Sequence, residues 1–347
     1  MGIGSSETVE TLLSLSEKGT MTFKSGGTRN GVLISNSENQ FILEGCRDNC
    51  RQDGRSRDEF RSYAIVSSDS NAIASDQHQR LQPPLVLSNG SARLLMSTGE
   101  TDLVCSVRAE LAHPAIDRPN SGVLEIHVDT TRKSSRNNSL DELESTLSRL
   151  LSSHLVDLDK LCISPSHYAW RLHVDLLVVA SSGGSLVDAC SIVIRAALRN
   201  VRLPSVSTLT RNESQSDESK PELQVDADVA SAKPIPGLEK APQIVTVTIL
   251  KCKPRASSST TSPKPTTVLI VDATMEEEAC AFAKVHIALD RSKASDPTIC
   301  ALHKAGGGAL PFNLLQDVTA LAVESTVPTS TAENSHSLLQ DQFLLEQ

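Results

Sequence analysis

A pair of glycines, Gly183 and Gly184, stands directly before an apolar stretch that has helical spacing. Glycines allow a tight turn, and the first turn of a helix offers free N–H groups at the positive end of the helix dipole. An anion such as phosphate binds well at such a position. The turn at residues 182–186 is therefore the first candidate site for chemistry, and its side chains decide what that chemistry is.

Two elements must position this turn. Residues 170–178 alternate between apolar side chains and Arg171, His173 and Asp175, which predicts a long strand with one buried face. After the glycines, apolar residues at helical spacing predict a buried helix: Val187, Cys190, Ile194 and Leu198. A strand, a glycine turn and a helix in this order place the candidate site at the end of the strand.

The turn resembles that of the RNase PH superfamily of phosphorolytic 3′-to-5′ exoribonucleases. Active members carry an Ala-Asp-Gly-Gly-Thr-Arg motif, in which the Asp serves a metal and the Thr and Arg hold the attacking phosphate. In this chain Ser182 replaces the Asp of the motif and Leu186 replaces the Arg. The phosphate-site turn is therefore degenerate, and it consists of Ser182, Gly183, Gly184, Ser185 and Leu186. Without a cation, the incoming phosphate lacks the stabilisation that phosphoryl transfer requires. The resemblance thus implies a retained fold whose chemistry is removed.

This combination is similar to the non-catalytic RNase PH-like ring subunits of the eukaryotic RNA exosome. Further blocks agree with that type in order and spacing: residues 52–55 (QDGR), 90–93 (GSAR), 101–102 (TD), 107–110 (VRAE), 161–165 (LCISP), 271–274 (VDAT) and 277–280 (EEAC). The resemblance extends over residues 34–325. It implies an α+β RNase PH fold of two strand-helix halves, similar to domain 2 of ribosomal protein S5, with no catalytic residue and no cofactor.

Asp175 resembles an acidic position near the active site of the family. It is interpreted either as a remnant metal ligand or as a structural hydrogen-bond acceptor, and the second is favoured because one carboxylate seldom holds Mg²⁺. Asp188 lies in the first turn of the predicted helix and is expected to complement the helix dipole. No metal site is predicted, because the histidines and cysteines have no spacing typical of one.

Three cations, Arg132, Lys133 and Arg136, fall within five residues of an otherwise acidic chain. Active relatives carry an arginine-containing loop at this place that binds RNA. The alternative interpretation, given equal weight, is a solvated loop that makes no RNA contact. Arg108 either belongs to the same RNA path or pairs with a neighbouring acid, and the pairing is favoured. These four residues are the candidate RNA contacts.

Composition excludes several classes of function. The formal charge of −9 argues against autonomous binding of nucleic acid, and 3% aromatic residues argue against a platform that stacks bases. The eight cysteines form no paired Cys-x-x-Cys motif, so no disulfide framework is expected. No membrane span or leader is recognised, which predicts an intracellular protein.

The pattern along the chain predicts five regions. Residues 1–33 are a flexible extension, 34–204 a first RNase PH-like half, 205–242 an acidic polar linker, 243–325 a C-terminal half with a mobile insert at 253–266, and 326–347 a tail. The extension contains Ser-Gly-Gly-Thr-Arg at residues 25–29. No buried strand precedes that copy and no apolar helix follows it, so it is interpreted as a coincidence.

The expected function is that of a non-catalytic subunit in a hexameric exosome ring, which supports 3′-to-5′ RNA processing and degradation. Its partners would be other RNase PH-like ring subunits, RNA-binding cap subunits and RNA in the assembled channel, in the nucleus, the nucleolus and the cytoplasm. Two alternatives stay open, an active phosphorolytic exoribonuclease and a free-standing RNA-binding adaptor. Ser182 and Leu186 count against the first, and the low content of cations and aromatics against the second.

Overall fold

A computed structural model describes residues 34–67, 88–96, 100–131, 138–209, 222–253, 266–293 and 297–325. The predicted N-terminal extension with its Ser-Gly-Gly-Thr-Arg copy, nearly all of the predicted insert and the tail lie outside these ranges. Arg132, Lys133 and Arg136 also lie outside them.

The first half is built on a six-stranded sheet. Its strands are β1 (Tyr63–Ser67), β2 (Gly90–Met96), β3 (Thr101–Ala112), β4 (Val123–Thr130), β5 (Cys162–Ser164) and β6 (Tyr168–Ser181). They are ordered β1-β2-β3-β6-β4, with β5 also paired to β6. Only the β4–β6 pair is parallel among these. The alternation in the sequence is what buries one face of this sheet and exposes the other.

Five α-helices in the described ranges accompany the sheets: α1 (Asn36–Arg47), α2 (Asn138–Leu151), α3 (Leu186–Arg199), α4 (Met275–Ala279) and α5 (Phe312–Glu324). α2 packs on β4, and α3 packs on β2 and β3. Their buried leucines, isoleucines and valines form the larger core with the inner face of the first sheet. None of the helices in the described ranges is long and apolar enough to cross a bilayer.

The second half is an antiparallel four-stranded sheet. Its strands are β11 (Gln243–Cys252), β12 (Thr266–Val271), β13 (Ala283–Asp290) and β14 (Thr298–Gly306), in the order β12-β11-β13-β14. α5 packs on this sheet around a second core, and α1 packs on β11 and β12 around a third. The cores do not divide strictly by half, because the first core also contains Ile244 and Ala288 of the second sheet and the third contains Ile42 and Cys46 of α1.

Helix α3 joins the halves, because its first two turns bond to β11. The Ser191 hydroxyl accepts a hydrogen bond of 3.0 Å from the Ile244 N–H, and the Asp188 carboxylate accepts one of 3.0 Å from the Thr246 N–H. Asp188 also bonds to the Thr246 hydroxyl, which contacts the His286 ring. Burial raises the pKa of Asp188 to about 8. Asp188 lies in the first turn of α3 as predicted, and its bonds to Thr246 add a role that the sequence did not indicate, that of a buried tether between the halves.

The predicted linker is partly folded. Strands β8 (Val206–Leu209) and β9 (Glu222–Val225) form an antiparallel ribbon, and β7 (Arg202–Leu203) pairs with β10 (Lys233–Pro234). Ile235, Leu238 and Ala241 are buried in the first core. Residues 232–242 therefore belong structurally to the first half, and their polar composition concealed the three apolar anchors.

The predicted α+β fold is confirmed. The strand predicted from residue 170 is β6 and the helix after the glycines is α3, since both sequences have strong periodicity and a buried face. β6 extends the predicted strand by two residues at its start and three at its end, where pairing with β3 and β5 continues.

Candidate functional site

The glycine turn between β6 and α3 lies against the second half of the protein. Gly184 has φ +81°, and a Cβ there would stand 2.5 Å from the carbonyl oxygen of Ala273. A Cβ at Gly183 would stand 2.5 Å from Nη1 of Arg61. Close packing against the backbone therefore requires glycine at position 184, and the side chains of Arg61 and Thr101 crowd position 183, independently of any ligand.

Arg61 fills the space beside the turn. Its Nη1 donates to the carbonyl of Gly183, and its Nη2 donates to the carbonyl of Gly184 at 3.1 Å. The same guanidinium forms a two-point ion pair with Asp272, with Nε–Oδ2 at 2.9 Å and Nη2–Oδ1 at 2.7 Å. Arg61 is a buried cation whose charge is already neutralised by this carboxylate.

Asp272 is the centre of a buried cluster of charges. Its Oδ2 also accepts from Nη1 of Arg55 at 2.8 Å and from the Arg61 N–H at 2.7 Å. Burial alone would raise the pKa of Asp272, but the hydrogen bonds and charge of Arg61, with the charge of Arg55, hold that pKa below its usual value. Arg51 pairs with Glu277 beside it, with Nη2–Oε2 at 2.6 Å.

The N-terminus of α3 holds a carboxylate of the protein itself. Ser185, at φ 45°, donates its N–H to Oε1 of Glu278 at 3.2 Å. Lys284 places its Nζ 2.7 Å from the same oxygen. The helix dipole favours an anion at this position, and the carboxylate of Glu278, with Lys284 as its counter-ion, already lies there.

The other positions of the degenerate turn have structural partners. The N–H and hydroxyl of Ser182 both donate to the Glu100 carbonyl, at 2.9 and 3.0 Å. Leu186 packs, half-buried, against the first core. The Ser185 hydroxyl is buried without a hydrogen-bond partner.

Asp175 does not lie at the turn. It lies on β6, seven residues before Ser182, which directly follows the end of that strand; a rise of about 3.3 Å per residue separates the two by roughly 23 Å. Its carboxylate instead pairs with Nη2 of Arg108 at 3.0 Å, across β3 and β6. The idea of Asp175 as one half of a metal site with position 182 is therefore wrong.

Sequence reasoning missed the buried cluster of charges. Asp272 and Arg55 fall in blocks that carry the family resemblance, residues 271–274 and 52–55, whereas Arg51 and Arg61 lie outside those blocks. Three arginines and three acids meet at or beside the turn: Arg51, Arg55, Arg61, Asp272, Glu277 and Glu278. The pairing itself depends on contacts between residues more than 200 positions apart.

Comparison with known families decides the ancestry. Residues 84–204 match domain 1 of the 3′ exoribonuclease family, RNase PH, and residues 244–325 match domain 2. Together the two matches cover more than half of the chain. The chain belongs to the RNase PH family. The first match ends at the last residue of the predicted first half, and the second begins one residue after the predicted start of the C-terminal half.

Relatives of this RNase PH-family chain are named as components of exosomes. It is 25% identical over 300 residues to the exosome complex component Rrp42 of Methanopyrus kandleri, covering 84% of this chain and 94% of that protein. It is 27% identical over 301 residues to Rrp42 of Sulfurisphaera tokodaii, covering 84% and 92%. It is also 25% identical over 295 residues to exosome complex component RRP45 of Saccharomyces cerevisiae, covering 82% and 84%.

Solved structures share the fold. An archaeal exosome core chain superposes with a TM-score of 0.55 at 22% identity, covering 83% of this chain and 92% of that one. A chain of the Archaeoglobus fulgidus exosome with RNA bound to the active site superposes with a TM-score of 0.54 at 22% identity, covering 88% and 97%. These likenesses support the predicted RNase PH fold in both halves.

Proposed function

We propose that this chain is a non-catalytic subunit of an exosome ring that supports 3′-to-5′ RNA processing and degradation. Within that class, we propose the subunit type called exosome component 7, on the ordered blocks in its sequence. The naming of its relatives as exosome components supports the general assignment. The proposal that the chain is non-catalytic rests on the glycine turn.

One observation carries that part of the proposal: the charges at the turn are already paired within the protein. Arg61 is paired with Asp272, and Lys284 is paired with Glu278. In the described part of the chain around the turn, neither cation is left uncompensated for an incoming phosphate. A phosphorolytic site needs such a cation, because charge on the transferring phosphoryl group must be stabilised.

The residues at the turn also do not fit a catalytic Mg²⁺ ion, which takes several oxygen ligands in octahedral geometry. The Ser182 hydroxyl donates its proton to a carbonyl, and Asp175 is distant and paired with Arg108. The carboxylate of Asp272 is buried and surrounded by arginine donors. No step of catalysis is therefore assigned to a metal at this turn.

The partners we propose are other RNase PH-like ring subunits and RNA-binding cap subunits, with RNA threading the assembled channel. Assembly in the nucleus, including the nucleolus, and in the cytoplasm belongs to the same proposal.

The test combines assembly and activity. A tagged copy purified with its partners should give a ring of RNase PH-like chains by native mass spectrometry. The isolated chain, incubated with single-stranded RNA, Mg²⁺ and inorganic phosphate, should release no nucleoside diphosphates. An RNase PH-family enzyme that has the complete Asp-Gly-Gly-Thr-Arg turn is the positive control.

Two results would overturn the proposal, and each points to one alternative. Phosphate-dependent release of diphosphates by the isolated chain would make it an active phosphorolytic exoribonuclease. A monodisperse monomer that binds RNA and shows no thermal shift with any RNase PH-like partner would favour a free-standing adaptor.

The RNA contacts proposed from the sequence can be tested in the assembled ring. Changing Arg132, Lys133 and Arg136 to Glu should weaken RNA binding and reduce its salt dependence, because fewer counterions are released. A matched control changes three exposed lysines, Lys233, Lys240 and Lys293, to Glu, with the same change in net charge. Equal salt slopes for the two triple variants would remove these residues from the RNA path.

A further inference from the structure

Four ionisable side chains meet on the exposed face of the first sheet. Glu110 lies on β3, His173 on β6, and Glu125 and His127 on β4, so they span three adjacent strands. Glu125 and His173 are direct partners in the parallel register of β4 and β6. The side chain of His173 is only 20% exposed, while the other three are more open.

The distances in this cluster are short. Nδ1 of His173 lies 3.3 Å from Oε2 of Glu125, and Nε2 of His127 lies 3.9 Å from the same oxygen. One donor atom from each of Glu125, His127 and His173 lies within 4.8 Å of the others. The two imidazole rings are nearly parallel, with centroids 6.3 Å apart and an interplanar angle of 20°.

The second nitrogen of His173 faces another carboxylate. Nε2 lies 3.1 Å from Oε1 of Glu110, and this hydrogen bond is the main cause that lowers the pKa of Glu110. Nδ1 of His173 and Oε2 of Glu125 are 3.3 Å apart, which is the separation of two ligand atoms on one tetrahedral ion.

Glu110 and His173 form the pair that commonly supports a metal ligand. A histidine that binds a metal through one nitrogen usually donates its other N–H to a carboxylate, which fixes the ring and its tautomer. Arg171 lies near both acids, with Nη1 3.5 Å from Glu110 and Nε 4.0 Å from Glu125. Arg171 thereby orients the two carboxylates around His173, although its charge opposes a nearby cation.

We propose that Glu125, His127 and His173 bind one divalent transition-metal ion of the Zn²⁺ class, with Glu110 as the positioning partner of His173. Two imidazoles and one carboxylate suit Zn²⁺, Cu²⁺ or Ni²⁺ and disfavour Mg²⁺ or Ca²⁺. Bonds of about 2.0–2.1 Å in a tetrahedron require donor atoms roughly 3.3 Å apart. Small rotations of exposed side chains supply this closure, and water completes the fourth position.

The bound ion would link β4 to β6 on the open face of the sheet. Spacing along the sequence could not predict it, because His127 and His173 are 46 residues apart. The parallel register of the two strands brings the donors together.

The test titrates the untagged, chelator-treated full chain with Zn²⁺ against a chromophoric zinc indicator. We expect one Zn²⁺ per chain at micromolar or tighter affinity, weakened at least 10-fold by His127→Ala or His173→Ala. His154→Ala, at an exposed histidine outside the cluster, should change nothing. Glu110→Gln should weaken binding about 10- to 100-fold with all three ligands intact. Asp129→Asn, on the same strand as the ligands, is its matched control.

Cu²⁺ titration distinguishes this site from the chain's eight cysteines. The electron paramagnetic resonance spectrum of one bound Cu²⁺ should show coupling to two imidazole nitrogens, and the His127→Ala/His173→Ala variant should lose it. Zinc binding that is unchanged in that double variant, a copper spectrum without nitrogen coupling, or no binding at 100-fold excess over a micromolar dissociation constant would each overturn the proposal.

Discussion

Asp272→Asn should lower the free energy of unfolding by about 3–5 kcal/mol, the usual cost of leaving buried charges without their partner. The substitution keeps the shape of the side chain and tolerates the left-handed backbone, φ 43°, at this position. It removes the carboxylate that neutralises both Arg55 and Arg61. Because Arg61 also holds the Gly183 and Gly184 carbonyls, the contact between the two halves should loosen. Urea unfolding at pH 7 measures the loss.

The effect should depend on pH with a defined sign. The pKa of Asp272 in the folded protein lies below its ordinary value of 3.8, so its contribution is present above that pH and is lost as pH falls through the folded pKa. The difference between wild type and Asp272→Asn should be largest near neutral pH and shrink below about pH 4. Asp117→Asn, at an exposed aspartate, should stay within about 0.5 kcal/mol of wild type. A loss below about 1 kcal/mol for Asp272→Asn would contradict the central role of this residue.

Gly184→Ala should destabilise the protein by about 2–5 kcal/mol. A positive φ costs a non-glycine residue about 1–2 kcal/mol, and forcing a methyl group into a packed site adds about 1–3 kcal/mol. The new Cβ would meet the backbone at Ala273, Thr274 and Met275, at 2.5–2.7 Å. These atoms cannot move aside as a side chain could, so the second half must shift away from α3. Thermal and urea unfolding should both report the loss.

Gly54→Ala is a close control for that prediction. Gly54 has the same φ of +81°, but nothing lies within 4 Å of a Cβ built there. Its substitution should cost only the backbone term of about 1–2 kcal/mol. If the free energy of unfolding falls equally in the two variants, the close approach of the two halves at Gly184 does not contribute to stability.

The sequence by itself determined the elements around the turn and the family. Alternation with a buried face specified β6, and helical spacing specified α3, because each pattern has only one way to bury its apolar residues. The distance between Asp175 and the turn could also be predicted from the sequence, since a strand rises about 3.3 Å per residue. The loss of the motif's Asp and Arg, replaced by Ser182 and Leu186, is evident from the sequence alone.

Only the tertiary structure decided which charges meet. The partners of Arg51 and Arg55 lie more than 200 residues away, and no local periodicity encodes a contact between blocks in different halves. The same reason applies to Glu125 and His173, which meet because β4 pairs with β6 in a particular register. Strand order and register depend on the packing of the whole core, and this packing brings His127 and His173 to one face of the sheet. The packing of α3 against β11 likewise places Asp188 where it bonds to Thr246.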